Sequence, residues 1–149
     1  VGGHGHIIQT DGMTIMDDCY NANPVSMKAG IDVLHEVEDA RTVAVIGDMF
    51  ELGETSLRQH ELVGRYAAQR GAQKGISVII SIGSLAKNYE EGICDVSSRG
   101  GYNGTHLYYP DLDEFLEKGI GEIRKGDAVL VKASHAMHFE KIVKKLQEQ

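Results

Sequence analysis

The residues best suited to chemistry form a short polar run in the first quarter of the chain, where Asp17 and Asp18 follow an apolar stretch. Asn21, Asn23 and Pro24 come directly after them. A carboxylate at a strand end can hold a ribose hydroxyl, a substrate amine or Mg²⁺, or it can accept backbone N–H groups in the following loop. Because adjacent side chains on a strand point to opposite faces, only one of the two aspartates can face a site.

The asparagines and the proline also have a structural interpretation. Asn is common in Asx turns and at helix N-caps, and Pro is favoured at the first helical position. We therefore expect Asn23 to cap a helix that begins at Pro24, whatever else Asn21 and Asn23 bind.

A second set of polar residues follows two other apolar runs. Asp48 and Glu51 lie in a loop bounded by glycines, and Lys132 and Ser134 come at the end of the last apolar run. The two acids suit a solvent-exposed turn as well as a ligand-binding loop. Lys132 can extend to solvent or neutralise a carboxylate or phosphate. Ser134 can bind a carboxylate or cap the last helix.

Histidine spacing raises the question of a metal site. His4 and His6 would share one strand face, and His135 and His138 one helix face. Two ligands on each face do not complete a zinc site. We therefore predict no metal site in this chain.

Two glycine patterns are partly similar to the loops that bind nucleotide phosphates. Gly121 and Gly126 have the spacing of a P-loop, but Asp127 stands where the lysine must be, and the run follows a predicted helix. The glycines before the first strand lack the third glycine of the dinucleotide fingerprint. The chain therefore has no phosphate cradle of its own.

Apolar runs separated by turn residues predict the elements that position these groups. Two runs flank Asp11-Gly12, a pair suited to the positive φ angles of a tight hairpin turn. The predicted strands cover 6–10, 13–17, 42–47, 76–83, 106–109 and 128–132. The first two predicted helices begin after residue 23 and near residue 55, and the other three cover 84–91, 111–123 and 137–146. This order predicts an α/β, Rossmann-like, doubly wound sheet of about six mostly parallel strands, with an N-terminal antiparallel hairpin and helices on both faces. The polar loops then meet at the carboxyl edge, where such sheets bind ligands.

Composition limits the classes of function. With 149 residues and 42% hydrophobic side chains, residues 1–149 are expected to form one domain. A net charge of −7 with scattered Lys and Arg argues against nucleic acid as a partner. Two cysteines and no long apolar segment predict neither a disulfide framework nor membrane insertion, and a cytoplasmic location is expected. The chain opens with Val rather than Met, as expected for a fragment of a longer protein.

Four strings of residues together resemble the C-terminal domain of the Mur ligase family. They are Asp17-Asp18-Cys19-Tyr20-Asn21-Ala22-Asn23-Pro24, Val45-Ile46-Gly47-Asp48-Met49-x-Glu51-Leu52-Gly53, His60 with Val63-Gly64, and Leu130-Val131-Lys132-Ala133-Ser134. The first string is much more specific than any single motif above. The resemblance covers nearly the whole chain.

The resemblance implies an ATP-dependent amide ligase with three domains. Within the family, the pattern is most similar to members that join D-alanyl-D-alanine to UDP-MurNAc-tripeptide through an acyl phosphate in peptidoglycan synthesis. It implies that ATP and Mg²⁺ are bound mainly by a central domain that carries the P-loop and is absent from this chain. The C-terminal domain closes on the central and N-terminal domains, which excludes water from the acyl phosphate. The isolated chain is then expected to be inactive.

The resemblance also implies roles for individual residues. Asp18 resembles the family's aspartate near the ATP ribose and phosphates, and is the expected catalytic and cofactor-binding residue. His4 stands where the family usually has a phosphate-binding arginine. The expected substrate-binding residues are Asn21, Asn23, Pro24, Asp48, Glu51, Lys132 and Ser134.

Two other functions fit the sequence. The chain could belong to another Mur-type ligase or to a folylpolyglutamate ligase, which would add a different amino acid. It could also be a non-catalytic Rossmann-like binding module.

Overall fold

One mixed β-sheet forms the centre of the protein, whose computed structural model describes residues 6–69 and 75–149. The strands are β1 (His6–Gln9), β2 (Thr14–Asp18), β3 (Thr42–Gly47), β4 (Val78–Ile82), β5 (Thr105–Tyr109) and β6 (Ala128–Lys132). Their order in the sheet is β1-β2-β6-β3-β4-β5. Only the β1–β2 pair is antiparallel in the part of the chain that the structure describes. The predicted fold class is confirmed.

Helices cover both faces of this sheet. The α-helices of the described residues are α1 (Pro24–His35), α2 (Ser56–Gln69), α3 (Lys87–Ser98), α4 (Leu112–Glu114) and α5 (Glu140–Gln147). The apolar residues of α1, α2 and α3 form one core cluster with one face of the sheet. The segment around Phe115 and the helix α5 form a second cluster with the other face.

The central strands form because their side chains are apolar on both faces. Every residue of β4 and β6 is buried, as expected for parallel strands that are covered by helices on both sides. Along β3, Ala44 and Ile46 pack with the α1–α3 face, whereas Val43 and Val45 pack with the α5 face. Full burial of one such Val or Ile stabilises the fold by about 1.5–3 kcal/mol.

The hairpin between β1 and β2 has a different turn from the predicted one. The hairpin itself is confirmed, but neither Asp11 nor Gly12 has a positive φ angle. Instead, Thr10 Oγ1 accepts hydrogen bonds from the backbone N–H groups of Gly12 (3.3 Å) and Met13 (3.0 Å). The Thr10 side chain therefore accepts hydrogen bonds from two backbone donors of the turn.

Three predicted helices differ from the structure. The last one, predicted to begin at Met137 or His138, begins at Glu140 and follows a 3₁₀ turn, His135–Met137. Helix α3 begins at Lys87 rather than near 84 and continues to Ser98. The predicted helix over 111–123 is α-helical only at α4, and it continues as a π turn, Phe115–Gly119, and a 3₁₀ turn, Ile120–Glu122. Gly119 packs against the Tyr109 ring, where a Cβ atom would not fit, and glycine lowers helix propensity.

Close contact between α2 and α3 depends on two glycines. A Cβ atom on Gly64 of α2 would overlap the backbone carbonyl of Tyr89. A Cβ atom on Gly92 of α3 would overlap the carbonyl of Glu61. The two helix backbones therefore touch directly, which places Tyr89 beneath the carboxyl end of β3.

The strand order places a topological switch point between β6 and β3. β6 lies between β2 and β3, and the helices that follow β3 and β6 pack on opposite faces. The chain thus diverges at the ends of these neighbouring strands, which is the usual ligand-binding position in open α/β sheets.

Candidate functional site

The candidate site is built from the loops that follow β2, β3 and β6. Asp18 pairs with Lys132 in the β2–β6 register, and Ile46 pairs with Lys132 in the β3–β6 register. These three loops therefore leave the sheet side by side. The structure brings together the predicted residues Asp18, Asn21, Asp48 and Ser134 at this edge.

Asp18 and Lys132 form a partly buried ion pair at the end of β2. Lys132 Nζ donates to Asp18 Oδ2 at 2.6 Å and to the backbone carbonyl of Asn21 at 3.0 Å. The side chain of Lys132 is 1% exposed and that of Asp18 is 18% exposed. Lys132 thus neutralises a carboxylate, as one of its two interpretations predicted.

The second carboxylate oxygen of Asp18 differs from the first. Asp18 Oδ1 is buried and accepts no hydrogen bond from any residue in 6–69 or 75–149. A buried carboxylate oxygen without a donor is unfavourable by about 1–3 kcal/mol. Asp18 is therefore an acceptor that is held in place by Lys132 and is suited to a donor group of a ligand.

Helix α1 begins as the sequence predicts. Asn23 Oδ1 accepts from the Ser26 N–H at 2.8 Å, and the Asn23 N–H donates to Ser26 Oγ at 3.0 Å. Pro24 occupies the first helical position. Asn21 and Asn23 are both exposed beside Asp18, so capping leaves Asn23 accessible at the site.

Asp48 is buried in the loop after β3, with 4% of its surface exposed. Its Oδ1 accepts from the backbone N–H groups of Leu85 at 3.0 Å and Ala86 at 2.7 Å. Burial raises the pKa of Asp48, and these hydrogen bonds act in the opposite direction. Gly83 is required alongside, because a Cβ atom there would overlap the carboxylate. The Asp48 side chain thus joins the β3 loop to the segment before α3.

Ser134 joins the loops after β3 and β6. Its N–H donates to the Asp48 carbonyl at 3.0 Å, and its Oγ accepts from the Phe50 N–H at 2.8 Å. The hydroxyl of Ser134 can still donate its own proton to a ligand. Glu51 follows in the same loop, exposed to solvent and with a left-handed φ of 64°.

Two residues lie behind the loop that follows β3: His60, which is part of the strings that resemble the family but has no predicted role, and Tyr89, which no motif includes. Both are fully buried. The Met49 N–H donates to His60 Nε2 at 3.0 Å, and the Tyr89 hydroxyl donates to the Gly47 carbonyl at 2.7 Å. The signal in the sequence was a histidine at a core position of α2, in register with Val63 and Ala67.

Two exposed rings flank the Asp18 side of the site. Tyr20 is 63% exposed, and the centroid of its ring lies 5.1 Å from that of His135, at 45°. They connect the loop after β2 to the segment after β6.

A cleft of about 420 Å³ opens between α1 and the strands β1, β2 and β6. Its walls are mostly apolar, with Asp18 and Lys132 among the polar residues. The lining residues are His6, Ile7, Met16, Asp18, Ser26, Ala29, Gly30, Val33, Leu130 and Lys132. The Asp18–Lys132 pair is therefore reached from the cleft as well as from the carboxyl edge.

Three further predictions concern metal binding, membrane insertion and the role of His4. No group of three or more His, Cys, Asp or Glu side chains suited to a metal ion occurs among residues 6–69 and 75–149. Over the same ranges, no helix is both long and apolar enough to cross a bilayer. His4 lies outside the described residues.

Comparison with protein families and sequences gives consistent results. The family model described as "Mur ligase, glutamate ligase domain" matches residues 6–135. A UDP-N-acetylmuramoyl-tripeptide--D-alanyl-D-alanine ligase of Mycobacterium tuberculosis is 37% identical over 139 residues, which cover 85% of this chain and 27% of that protein. The Bacillus subtilis enzyme of the same name is 32% identical, over 95% of this chain and 30% of that protein.

Solved structures agree with the sequence comparison. A MurF crystal structure from Acinetobacter baumannii superposes with a TM-score of 0.79 at 27% identity, covering all of this chain and 30% of that one. MurF ligase from Thermotoga maritima, solved in complex with ADP, gives a TM-score of 0.75 at 25% identity over 99% of this chain and 31% of that one. The chain thus spans less than a third of the length of these relatives. Since the family model matches most of the chain and the fold agrees throughout, the chain belongs to the Mur ligase family, as its glutamate ligase domain.

Proposed function

We propose that this chain is the C-terminal domain of a three-domain, ATP-dependent ligase that joins D-alanyl-D-alanine to UDP-MurNAc-tripeptide in peptidoglycan precursor synthesis. The relatives with this name share up to 37% identity with the chain over 139 residues. They are more than three times as long as the matched segment, which supports further domains in the same enzyme. A cytoplasmic location, where nucleotide-linked precursors are made, belongs to the same proposal.

The observation that carries the proposal is the unpartnered oxygen of Asp18. Among the described residues, nothing donates to Oδ1, although Lys132 holds the other oxygen at 2.6 Å. A ribose hydroxyl of ATP is a donor of the right kind. The Thermotoga maritima relative was solved in complex with ADP, which supports an adenine nucleotide as a ligand of the whole enzyme.

The dipeptide is proposed to bind beside the nucleotide. Asn21 and Asn23 are exposed on one side of Asp18, and the Ser134 hydroxyl lies on the β6 side with its proton free to donate to a carboxylate. Glu51, exposed in the segment that follows β3, is suited to the ammonium group of the dipeptide. We propose a positioning role for Asp48 and Lys132, because their charged groups are buried and bonded to the protein. The Ser134 hydroxyl is also buried, but it keeps a proton to donate.

Two parts of the reaction are proposed to lie in the other domains. The chain has no P-loop, and its described residues contain no cluster for Mg²⁺. We propose that a central domain holds the ATP phosphates and Mg²⁺ and forms the acyl phosphate. This domain then closes over it, and exclusion of water protects the intermediate from hydrolysis.

A chimera tests the substrate. Residues 1–149 replace the matching segment of the Mycobacterium tuberculosis ligase, and ADP release is followed with UDP-MurNAc-tripeptide and either D-alanyl-D-alanine, D-alanine or L-glutamate. Release that depends on D-alanyl-D-alanine supports the proposal. Release that depends on a single amino acid would assign the chain to another Mur-type or folylpolyglutamate-type ligase.

Binding to the isolated chain tests the location of the site. Titration with D-alanyl-D-alanine should shift the NMR amide signals of Asn21, Asn23 and Ser134, while ATP alone should not be hydrolysed. Shifts confined to the opposite edge, or steady ATP hydrolysis by the isolated chain, would contradict the assignment.

A further inference from the structure

Each residue of the segment 47–50, hereafter the β3 loop, has a backbone group that is bonded to another element. The Gly47 carbonyl accepts from Tyr89, the Asp48 carbonyl accepts from the N–H of Ser134, and the Met49 N–H donates to His60. The Phe50 N–H completes the set by donating to Ser134 Oγ. The loop is therefore held by α2, α3 and the segment after β6.

The hydrogen bonds of His60 determine its protonation. Nε2 accepts from the Met49 N–H at 3.0 Å, so Nε2 carries no proton. Nδ1 lies 2.7 Å from the Ser56 carbonyl, and it must therefore be the protonated nitrogen. His60 is a neutral imidazole in a single tautomer that bridges the first turn of α2 and the β3 loop.

The surroundings of His60 also favour the neutral imidazole. The ring is fully buried, and burial lowers the pKa of His60. Asp48 from the β3 loop and Tyr89 from α3 are the groups that face it, with the Tyr89 ring at 5.0 Å. Neither of them competes for the two ring nitrogens, which bond only to backbone groups among the described residues.

We propose that His60 is a positioning residue for the ligation reaction, acting through the hydrogen bond from Met49 to its Nε2 atom. This inference rests on the proposed function. Without the acceptor, a buried backbone donor at Met49 loses its partner, and the loop shifts to satisfy it. Because Phe50 bonds to Ser134, the shift reaches the residue that is proposed to bind the dipeptide. A displacement of about 1 Å in such a group can lower a rate by on the order of a hundredfold.

Two substitutions separate the two hydrogen bonds of the ring. In His60→Gln, the side-chain carbonyl takes the place of Nε2 and can accept from Met49. In His60→Asn, the side-chain amide takes the place of Nδ1, so the Ser56 bond remains and the Met49 bond is lost. Both variants remove ring packing against Tyr89, and Asn is one methylene group smaller than Gln, so the melting temperature of each variant is measured beside its kcat.

The activity test uses the chimeric ligase described above. We expect His60→Asn to lower kcat by on the order of tenfold or more, with little change in the KM for ATP, and His60→Gln to recover most of that loss. Tyr102→Phe is the control, because it removes another buried hydroxyl, which donates to the Ile76 carbonyl at the amino edge of the sheet, away from the β3 loop. It should lower the melting temperature and leave kcat within about twofold of the parent.

A second readout needs no ligation. In the isolated chain, the ¹⁵N-coupled NMR spectrum of the His60 ring should show the Nδ1–H tautomer, and hydrogen exchange at the Met49 amide should be faster in His60→Asn than in His60→Gln. An Nε2–H tautomer, equal exchange in the two variants, or equal kcat in two variants of an active chimera would overturn the inference. An inactive parent chimera would count against the proposed function alone, and the NMR readout would still decide the role of His60 in holding the loop.

Discussion

The two edges of the sheet each hold a carboxylate paired with a cation, and the two pairs differ in how completely they are hydrogen-bonded. At the amino edge, Arg41 donates to Asp127 through Nε at 3.0 Å and Nη2 at 2.8 Å, and the Arg124 N–H donates to Oδ2 at 2.7 Å. Both oxygens of Asp127 are therefore satisfied. At the carboxyl edge, Asp18 has one oxygen bonded to Lys132 and one without a donor among the described residues.

The difference in hydrogen bonding between the two ion pairs distinguishes a role in stability from a role in ligand binding. A buried ion pair that is fully hydrogen-bonded needs nothing further from its surroundings. A pair with an unused acceptor is less stable than it could be, and such local deficits are typical of functional sites. The comparison therefore supports a structural role for Asp127 and the proposed ligand-binding role for Asp18.

The largest expected effect comes from removing the cation at each edge. Lys132→Met should destabilise the chain by about 3 kcal/mol, because it leaves Asp18 without its counter-charge, and it should also abolish ligation by the chimera. Arg41→Met should produce a similar loss of stability with ligation retained at temperatures where the variant is folded. Urea unfolding and ADP release measure the two quantities. Loss of ligation in both variants at equal folded fractions would remove the distinction between the edges.

The carboxylates can be neutralised without a change of shape. Asp18→Asn should lower kcat/KM for ATP by between about tenfold and a hundredfold, as expected for a lost hydrogen bond to a charged group. Asp127→Asn should change kcat/KM by less than about twofold. Steady-state ADP release by the chimera is the measurement, and normal turnover of Asp18→Asn would exclude Asp18 from the reaction.

The pH dependence of unfolding should distinguish the carboxyl edge, where His60 lies, from the amino edge, where the Arg41–Asp127 pair contains no histidine. The pKa of His60 is lowered from 6.5 by burial, so below pH 6.5 the unfolded chain binds a proton that the folded chain does not. The free energy of unfolding from this group therefore falls as the pH drops below 6.5, by at most about 1.4 kcal/mol per pH unit. Urea unfolding at pH 7.5 and 5.5 should show a smaller loss in His60→Gln than in the parent. An identical loss in both would contradict the lowered pKa.

The smallest expected effect concerns two helix caps. Asn23 caps α1 beside the site, and Asp111 caps α4 by accepting from the Glu114 N–H at 2.9 Å. Asn23→Ala and Asp111→Ala should each cost about 1 kcal/mol of stability. Only Asn23→Ala should also raise the KM for D-alanyl-D-alanine. An equal KM in the two variants would leave Asn23 with a capping role alone.

Much of the fold follows from local sequence. The apolar runs at β3 and β6 predict buried parallel strands, and Asn23-Pro24 predicts the start of α1 correctly. These signals lie within a few residues of the structure that they specify. The predicted meeting of the three polar loops also follows, because strand ends of a parallel sheet share an edge.

The partners within the site could not be predicted, because they depend on long-range register. Lys132 bonds to Asp18 across 114 positions, and Asp48 bonds to Ala86 across 38. A sequence shows that such groups exist but not which of them meet. The start of α3 was misplaced for the same reason, since the donors at Leu85 and Ala86 are satisfied by a carboxylate from a distant loop rather than by a local cap.

The direct contact of α2 and α3 at Gly64 and Gly92 has a consequence for how this protein can evolve. Tyr89 reaches the Gly47 carbonyl only while the two helices remain this close. Random mutagenesis with selection for the proposed ligase activity should therefore recover almost no substitutions at either glycine, although neither is proposed to contact a ligand. Neighbouring exposed positions on the same helices, such as Leu57 and Cys94, should accept many. A map of tolerated substitutions would then identify the helix contact that supports the site more clearly than the exposed residues of the site.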